Sequence, residues 1–157
     1  KGQSVKWLME EIQPVVDRIR NHPELAEYVP LVEQGFQQLQ ESIRHIGGLV
    51  GGGRMEAGFL EATPLLEIFG DVMLGWLHLW QAETACAKLG KIREEAGAST
   101  PEAQKELVKR NPEAAFLEGK IGSARFYMGR ILPLVAGKVE GLKRTEVAPL
   151  NIPDEGF

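Results

Sequence analysis

A chain of 157 residues, 43% hydrophobic and 25% charged, holds enough apolar material for one well-buried core and is too short for two ordinary domains. Its net charge of −4, with no basic run longer than pairs such as Lys109-Arg110 and Lys143-Arg144, excludes a nucleic-acid surface. The lone cysteine excludes an internal disulfide and fits a reducing compartment, so a cytoplasmic location is expected, and apolar stretches broken by charges exclude a membrane span.

Residues from about Gln3 to Asn21 predict a first helix with Val5, Leu8, Ile12, Val15 and Ile19 on one face and a bend at Pro14. Asn21-His22-Pro23 breaks it, Pro23 suiting the first turn of the next helix. A second helix carries Leu25, Val29, Val32, Phe36, Leu39, Ile43, Ile46 and Val50, with Pro30 dividing a short lead-in from a long main segment. Gly47-Gly48 and Gly51-Gly52-Gly53 are expected to end it. With no strand before this cluster and no Gly-Lys-Ser/Thr after it, it reads as a helix–helix turn and not a phosphate loop.

A central helix is predicted from Phe59 to Leu89, about 45 Å long at 1.5 Å per residue. One apolar stripe runs through Phe59, Ala62, Leu66, Phe69, Met73, Trp76 and Trp80. A second runs through Leu65, Ile68, Val72, Gly75, Leu79, Ala82, Cys86 and Leu89. A face that wide should be touched by partners on at least two sides, so the other helices should wrap around this one. Glu67, Asp71, His78 and Gln81 mark its solvent side, with Leu74 exposed among them.

Gly97 to Glu102 contains a restart, with Thr100 as N-cap and Pro101 as first helical residue, opening a charged, solvated helix to Arg110. Asn111-Pro112-Glu113 is a second such start. The last long helix should then run to about Lys143, kinked at Pro133, with Leu117, Ile121, Ala124, Met128, Ile131 and Val135 on one face. An extended tail from Val147 would dock through Leu150, Ile152 and Phe157. No segment alternates with period two, so the expected fold is all-α: one domain over residues 1–157, an antiparallel four-helix bundle with long, kinked helices.

Chemistry is sparse. A two-metal bundle needs a Glu-x-x-His pair on each of two helices, and the chain has none; Glu41 and His45 are four apart, with Glu41 and Ser42 off the apolar stripe. His22, His45 and His78 occupy polar or terminal positions and read as surface residues. Cys86, among Ala82, Ala85 and Leu89, reads as a buried inert thiol. Ser123 has no neighbouring base, and Gly119, Gly122 and Ser123 suggest close helix approach. Trp76 and Trp80 could stack on a flat cofactor, though core packing is the stronger reading. Arg125 and Arg130 flank the last helix's apolar face and either bind a phosphate or a carboxylate or are simply solvated. No catalytic, cofactor-binding or metal residue is expected in this chain.

Two stretches carry a resemblance. Leu60-Glu61-Ala62-Thr63-Pro64-Leu65-Leu66-Glu67-Ile68-Phe69-Gly70 with Gly75-Trp76, and Phe116-Leu117 through Lys120, Ala124-Arg125-Phe126-Tyr127 and Ile131-Leu132-Pro133, resemble the C-terminal helical domain of bacterial acyl-CoA dehydrogenases. The likeness covers about Ser4 to Val139. Glu67 departs from it, standing where arginine is common, and the Gly51 to Gly53 turn is unusually glycine-rich. Because the chain begins at Lys1 and not at Met, it is expected to be the C-terminal piece of a larger flavoenzyme. The resemblance implies a parent that uses FAD and a glutamate base to convert an acyl-CoA to the 2-enoyl-CoA and passes electrons to an electron-transfer flavoprotein. Flavin and base would lie in the upstream body. This chain would be a non-catalytic docking domain in a homo-oligomer, with Arg125, Arg130, Leu74 and Tyr127 as the expected docking residues. The alternative is a free-standing helical interaction module.

Overall fold

The computed structural model describes the backbone of residues 3–156 and the side chains of residues 7, 8, 10–153, 155 and 156, so the placements expected for the Val5 and Phe157 side chains lie outside the described residues. Seven α-helices lie among them: α1 (Gln3–Ile19), α2 (Val29–Gly51), α3 (Met55–Leu60), α4 (Ala62–Glu95), α5 (Pro101–Arg110), α6 (Pro112–Phe126) and α7 (Val135–Arg144). The rest is 3-10 turn, π turn and connection, with no strand among the described residues.

The main core joins α1 (Ile12, Val15, Val16, Ile19), α2 (Val29, Val32, Phe36, Leu39), α4 (Ile68, Val72, Trp76, Leu79) and the last helical run (Ala124, Met128, Leu132, Val135, Val139, Leu142). A smaller cluster (Ala85, Leu89, Ala114, Leu117, Ile121) holds the far end of α4 to α6, and α5 packs Leu107 and Val108 against it. Thr100 caps α5 by accepting from the Ala103 N–H at 3.2 Å, and Asn111 caps α6 by accepting from the Glu113 and Ala114 N–H groups at 3.0 and 3.1 Å. Both starts fall where the sequence puts them.

Several boundaries differ from expectation. Pro23 opens no helix; turns and a 3-10 segment at Ala26–Tyr28 precede α2, whose first turn holds Pro30. Gly47 and Gly48 do not end α2, which runs on to Gly51 because its last turn buries Leu49 and sets Val50 against Gly58 of α3. A Cβ at residue 58 would stand 2.8 Å from Val50 Cγ2, so a larger residue there would force Val50 or α3 to shift. The stop is Gly53 (φ +81°): its N–H donates to the Val50 carbonyl at 3.2 Å and the Arg54 N–H to that of Leu49 at 2.9 Å, a Schellman closure. Gly97 (φ +62°) closes α4 the same way, with Gly97 N–H to Glu94 and Ala98 N–H to Arg93.

The central helix is split at Glu61, so Phe59 belongs to α3. Pro64 explains the split, since its ring would strike the carbonyl of residue 60 in a continuous helix. α4 is longer than expected at its other end, 34 residues or about 51 Å.

The last long helix is likewise divided. Pro133 offers no N–H to the carbonyl four residues back, and the chain responds with a π turn at Tyr127–Ile131, whose Leu132 N–H reaches the Tyr127 carbonyl, followed by a 3-10 turn at Leu132–Leu134. The extra residue moves the buried position from Ile131 to Leu132. Leu132 then seats between α2 and α4, its methyl groups 3.1 and 3.2 Å from where a Gly75 Cβ would lie and 3.4 Å from that of Gly35. Close approach thus runs through Gly35 and Gly75. Gly119 and Gly122 are exposed, with nothing within 4 Å of an added Cβ, contrary to expectation. The tail is two 3-10 turns, Ala148–Asn151 and Asp154–Gly156, and not extended; Leu150 and Ile152 stay exposed.

Candidate docking face and groove

The two stripes of α4 have different fates. Ile68, Val72, Gly75, Leu79, Ala82 and Leu89 are buried between α2 and the α6–α7 run. Of the other stripe only Trp76 is buried, at 7% exposure; Leu66 is 69% and Trp80 43% exposed, and Phe69 also lies open. Phe59 on α3 adds a further open ring at 67%. The helices cover two sides of α4, as the sequence requires, and leave an apolar strip along the third.

At its far end the strip runs into a groove of about 480 Å³ between α4 and α6, lined among others by Leu77, Trp80, Lys88, Phe116 and Lys120. Trp76 and Trp80 stack at 5.6 Å with 25° between planes, so the core reading holds for Trp76 while Trp80 turns to the groove. Lys120 Nζ lies 5.3 Å from the Phe116 ring centroid, a cation–π contact.

The four expected docking residues differ in their surroundings. Arg125 pairs with Glu24 at 2.8 Å, tying α6 to the α1–α2 connection. Tyr127 is half-buried, its hydroxyl donating to the Asp71 carbonyl at 3.1 Å and its ring 4.7 Å from that of His78. Arg130 is exposed in the π turn, and Leu74 is 48% exposed on α4 between Asp71 and His78. Lys138 of α7 reaches Asp71 at 2.9 Å and Glu67 at 3.1 Å; Glu67 stays exposed as expected, while Asp71 is partly buried under this contact.

The histidines are not plain surface residues. His22 Nδ1 accepts from the Glu24 N–H, and His78 is partly buried; that burial, with Lys120 adding to it, holds its imidazole below the usual histidine value. His45 Nε2 lies 2.7 Å from Thr145 Oγ1, and Thr145 (φ +52°) ends α7 in the left-handed region. Near them Glu61, 7% exposed at the α3–α4 break, has its carboxyl pushed up by burial, with His45 opposing the shift. From sequence, Glu61 stands within the family motif and is given no role of its own; Pro64 three residues on was the available signal of the break it occupies. Cys86 is half-buried and its thiol is pushed up by burial, which keeps it protonated and unreactive. Glu41 faces away from the core on Lys143 at 2.7 Å, whereas Ser42 is fully buried and donates to the Gln38 carbonyl, a position the stripe had given to Ile43. Ser123 is exposed. Among the described residues no three His, Cys, Asp or Glu side chains converge to hold a metal, and no helix is long and apolar enough to cross a membrane.

The described residues are all-helical and turn, with an apolar strip on α4 that the chain's own helices leave uncovered. The chain belongs to the family described as acetyl-CoA dehydrogenase C-terminal like, which it matches over residues 8–153. It is also similar to two proteins named butyryl-CoA dehydrogenase from Syntrophomonas wolfei subsp. wolfei. It is 30% identical to one over 62% of this chain and 14% of that protein, and 25% identical to the other over the whole chain and 23% of that protein. The chain therefore spans less than a quarter of the length of these curated relatives.

Proposed function

We propose that this chain is the non-catalytic C-terminal docking domain of an FAD-dependent acyl-CoA dehydrogenase of the cytoplasm, folded as one antiparallel four-helix bundle of α1, α2, α4 and the α6–α7 run. The parent would convert an acyl-CoA to its 2-enoyl-CoA and pass electrons to an electron-transfer flavoprotein, as a homo-oligomer. The observation that carries the reading is the strip of Phe59, Leu66 and Phe69, which the chain's own helices leave uncovered although it continues a packed stripe. An exposed apolar face is a common mark of an interaction site. The occupant proposed is the catalytic body of the parent polypeptide. The residues here do not fit FAD: a dinucleotide site wants a glycine-rich turn between a strand and a helix N-terminus, and Gly51 to Gly53 instead close a helix ahead of a six-residue one. Flavin and base are assigned to the body, and no chemical step is routed through this chain.

Immunoblotting source cells with an antibody to this chain tests the proposal. A band several times heavier than the 17.3 kDa of the chain supports it, and a band at that mass sinks it in favour of a free-standing module. In the heavier protein, Leu66→Asp with Phe69→Asp should lower the melting temperature of the catalytic body and leave the unfolding of the isolated chain nearly unchanged.

A further inference from the structure

The α4–α6 groove is lined by positive charge and by no negative charge. Four basic side chains bridge helices onto carboxylates: Arg18 on Glu83, Arg93 on Glu118, Arg125 on Glu24 and Lys143 on Glu41. Lys88 and Lys120, the charged residues lining the groove, make no ion pair among the described residues, and no carboxylate lines it. In a chain of net charge −4 this is a local excess of positive charge beside an apolar floor. The floor is aromatic and oriented: Trp76 stacks on Trp80 and is itself packed in the core, so the Trp80 ring is held while its free portion faces the groove with Phe116. The volume of about 480 Å³ suits a small molecule and not a folded partner.

The geometry points to a binding site for an amphipathic aromatic anion, an aryl carboxylate whose ring lies against Trp80 and Phe116 and whose carboxylate is held by Lys88 and Lys120. The flat, preset rings favour an aromatic body over a flexible alkyl chain, because stacking on a fixed ring costs little ordering entropy. The site lies on the half of α4 away from Leu66 and Phe69, so it does not depend on the docking proposal.

The test is calorimetric titration of the purified chain with 2-naphthoate, its neutral analogue 2-naphthamide, and decanoate. Naphthoate should bind at least about tenfold more tightly than the amide, the effect of one charge-assisted contact. Lys88→Gln with Lys120→Gln should remove that advantage, leave amide binding as it was, and leave the thermal unfolding curve in place. Equal affinity for naphthoate and amide, an unchanged naphthoate affinity in the double variant, or no heat at millimolar naphthoate would each overturn the assignment. Tighter binding of decanoate than naphthoate would overturn its aromatic part.

Discussion

Leu132→Ala, Gly75→Ala and the double variant form a thermodynamic cycle on the contact that the π turn creates. Leu132 is 3% exposed, with its methyl groups 3.1 and 3.2 Å from the site of a residue 75 Cβ. Truncating it removes buried methyl groups and leaves a void that two helix backbones cannot collapse into, which costs about 3–5 kcal/mol. In a domain of this size that lowers the melting temperature by roughly 6–20 °C. Gly75→Ala alone sets a helix-propensity gain of about 1 kcal/mol against an overpacking cost of about 1–3 kcal/mol, so it should be neutral to destabilising. With Leu132 truncated the clash is gone and only the gain remains. The cycle should therefore show a coupling of about 1–3 kcal/mol, read from urea unfolding at unchanged m-values. Gly75→Ala stabilising both backgrounds equally would mean that Leu132 does not seat on Gly75 and that the π-turn register is wrong.

Gly53→Ala should destabilise by about 1–2 kcal/mol, since residue 53 holds a positive φ, whereas Gly47→Ala, mid-helix in open space, should stabilise by up to about 1 kcal/mol; chemical denaturation of both reports which glycine ends α2. Asn111→Ala removes the acceptor for two N–H groups at the start of α6 and should cost about 1 kcal/mol in the same assay. For His78 the folded state favours the neutral ring, so its contribution is present above the unfolded value near 6.5 and is lost as pH falls through the folded one. His78→Phe keeps a ring on Tyr127 without titrating, and its stability should rise relative to wild type as pH drops from about 7 to about 5. Glu61 has the opposite sign: its raised value favours the protonated form, a contribution complete at low pH and lost as pH rises through the folded value. Glu61→Gln should be more stable than wild type at about pH 7, with the gap closing by about pH 4.

Helix existence was legible because the apolar period and the caps are local. Thr100 and Asn111 needed only their own side chains and the proline after each. The boundaries that failed were those set across helices. Gly47 looks like a terminator in isolation and is helical because Leu49 and Val50, one turn further, have something to pack on. Leu132 could not be distinguished from Ile131 by a uniform period, since the π turn adds a residue to the count. Pro64 did announce the break at Glu61, and the continuous apolar stripe through Phe59 masked it.

The site was less legible than the fold because period reports apolarity and says nothing of what covers it. Trp76 and Trp80 share a stripe, a residue type and a spacing, yet one is core and the other lines a groove, because the stripe is wider than the neighbouring helices can reach. Nor does period reveal that the Tyr127 hydroxyl has an intramolecular acceptor, the Asp71 carbonyl 56 residues away. The docking proposal therefore rests on exposed apolar residues of a stripe that is elsewhere packed. On that reasoning Leu66 and Phe69, and not Arg125 or Tyr127, are the positions at which substitution should separate the domain's own stability from that of whatever it covers.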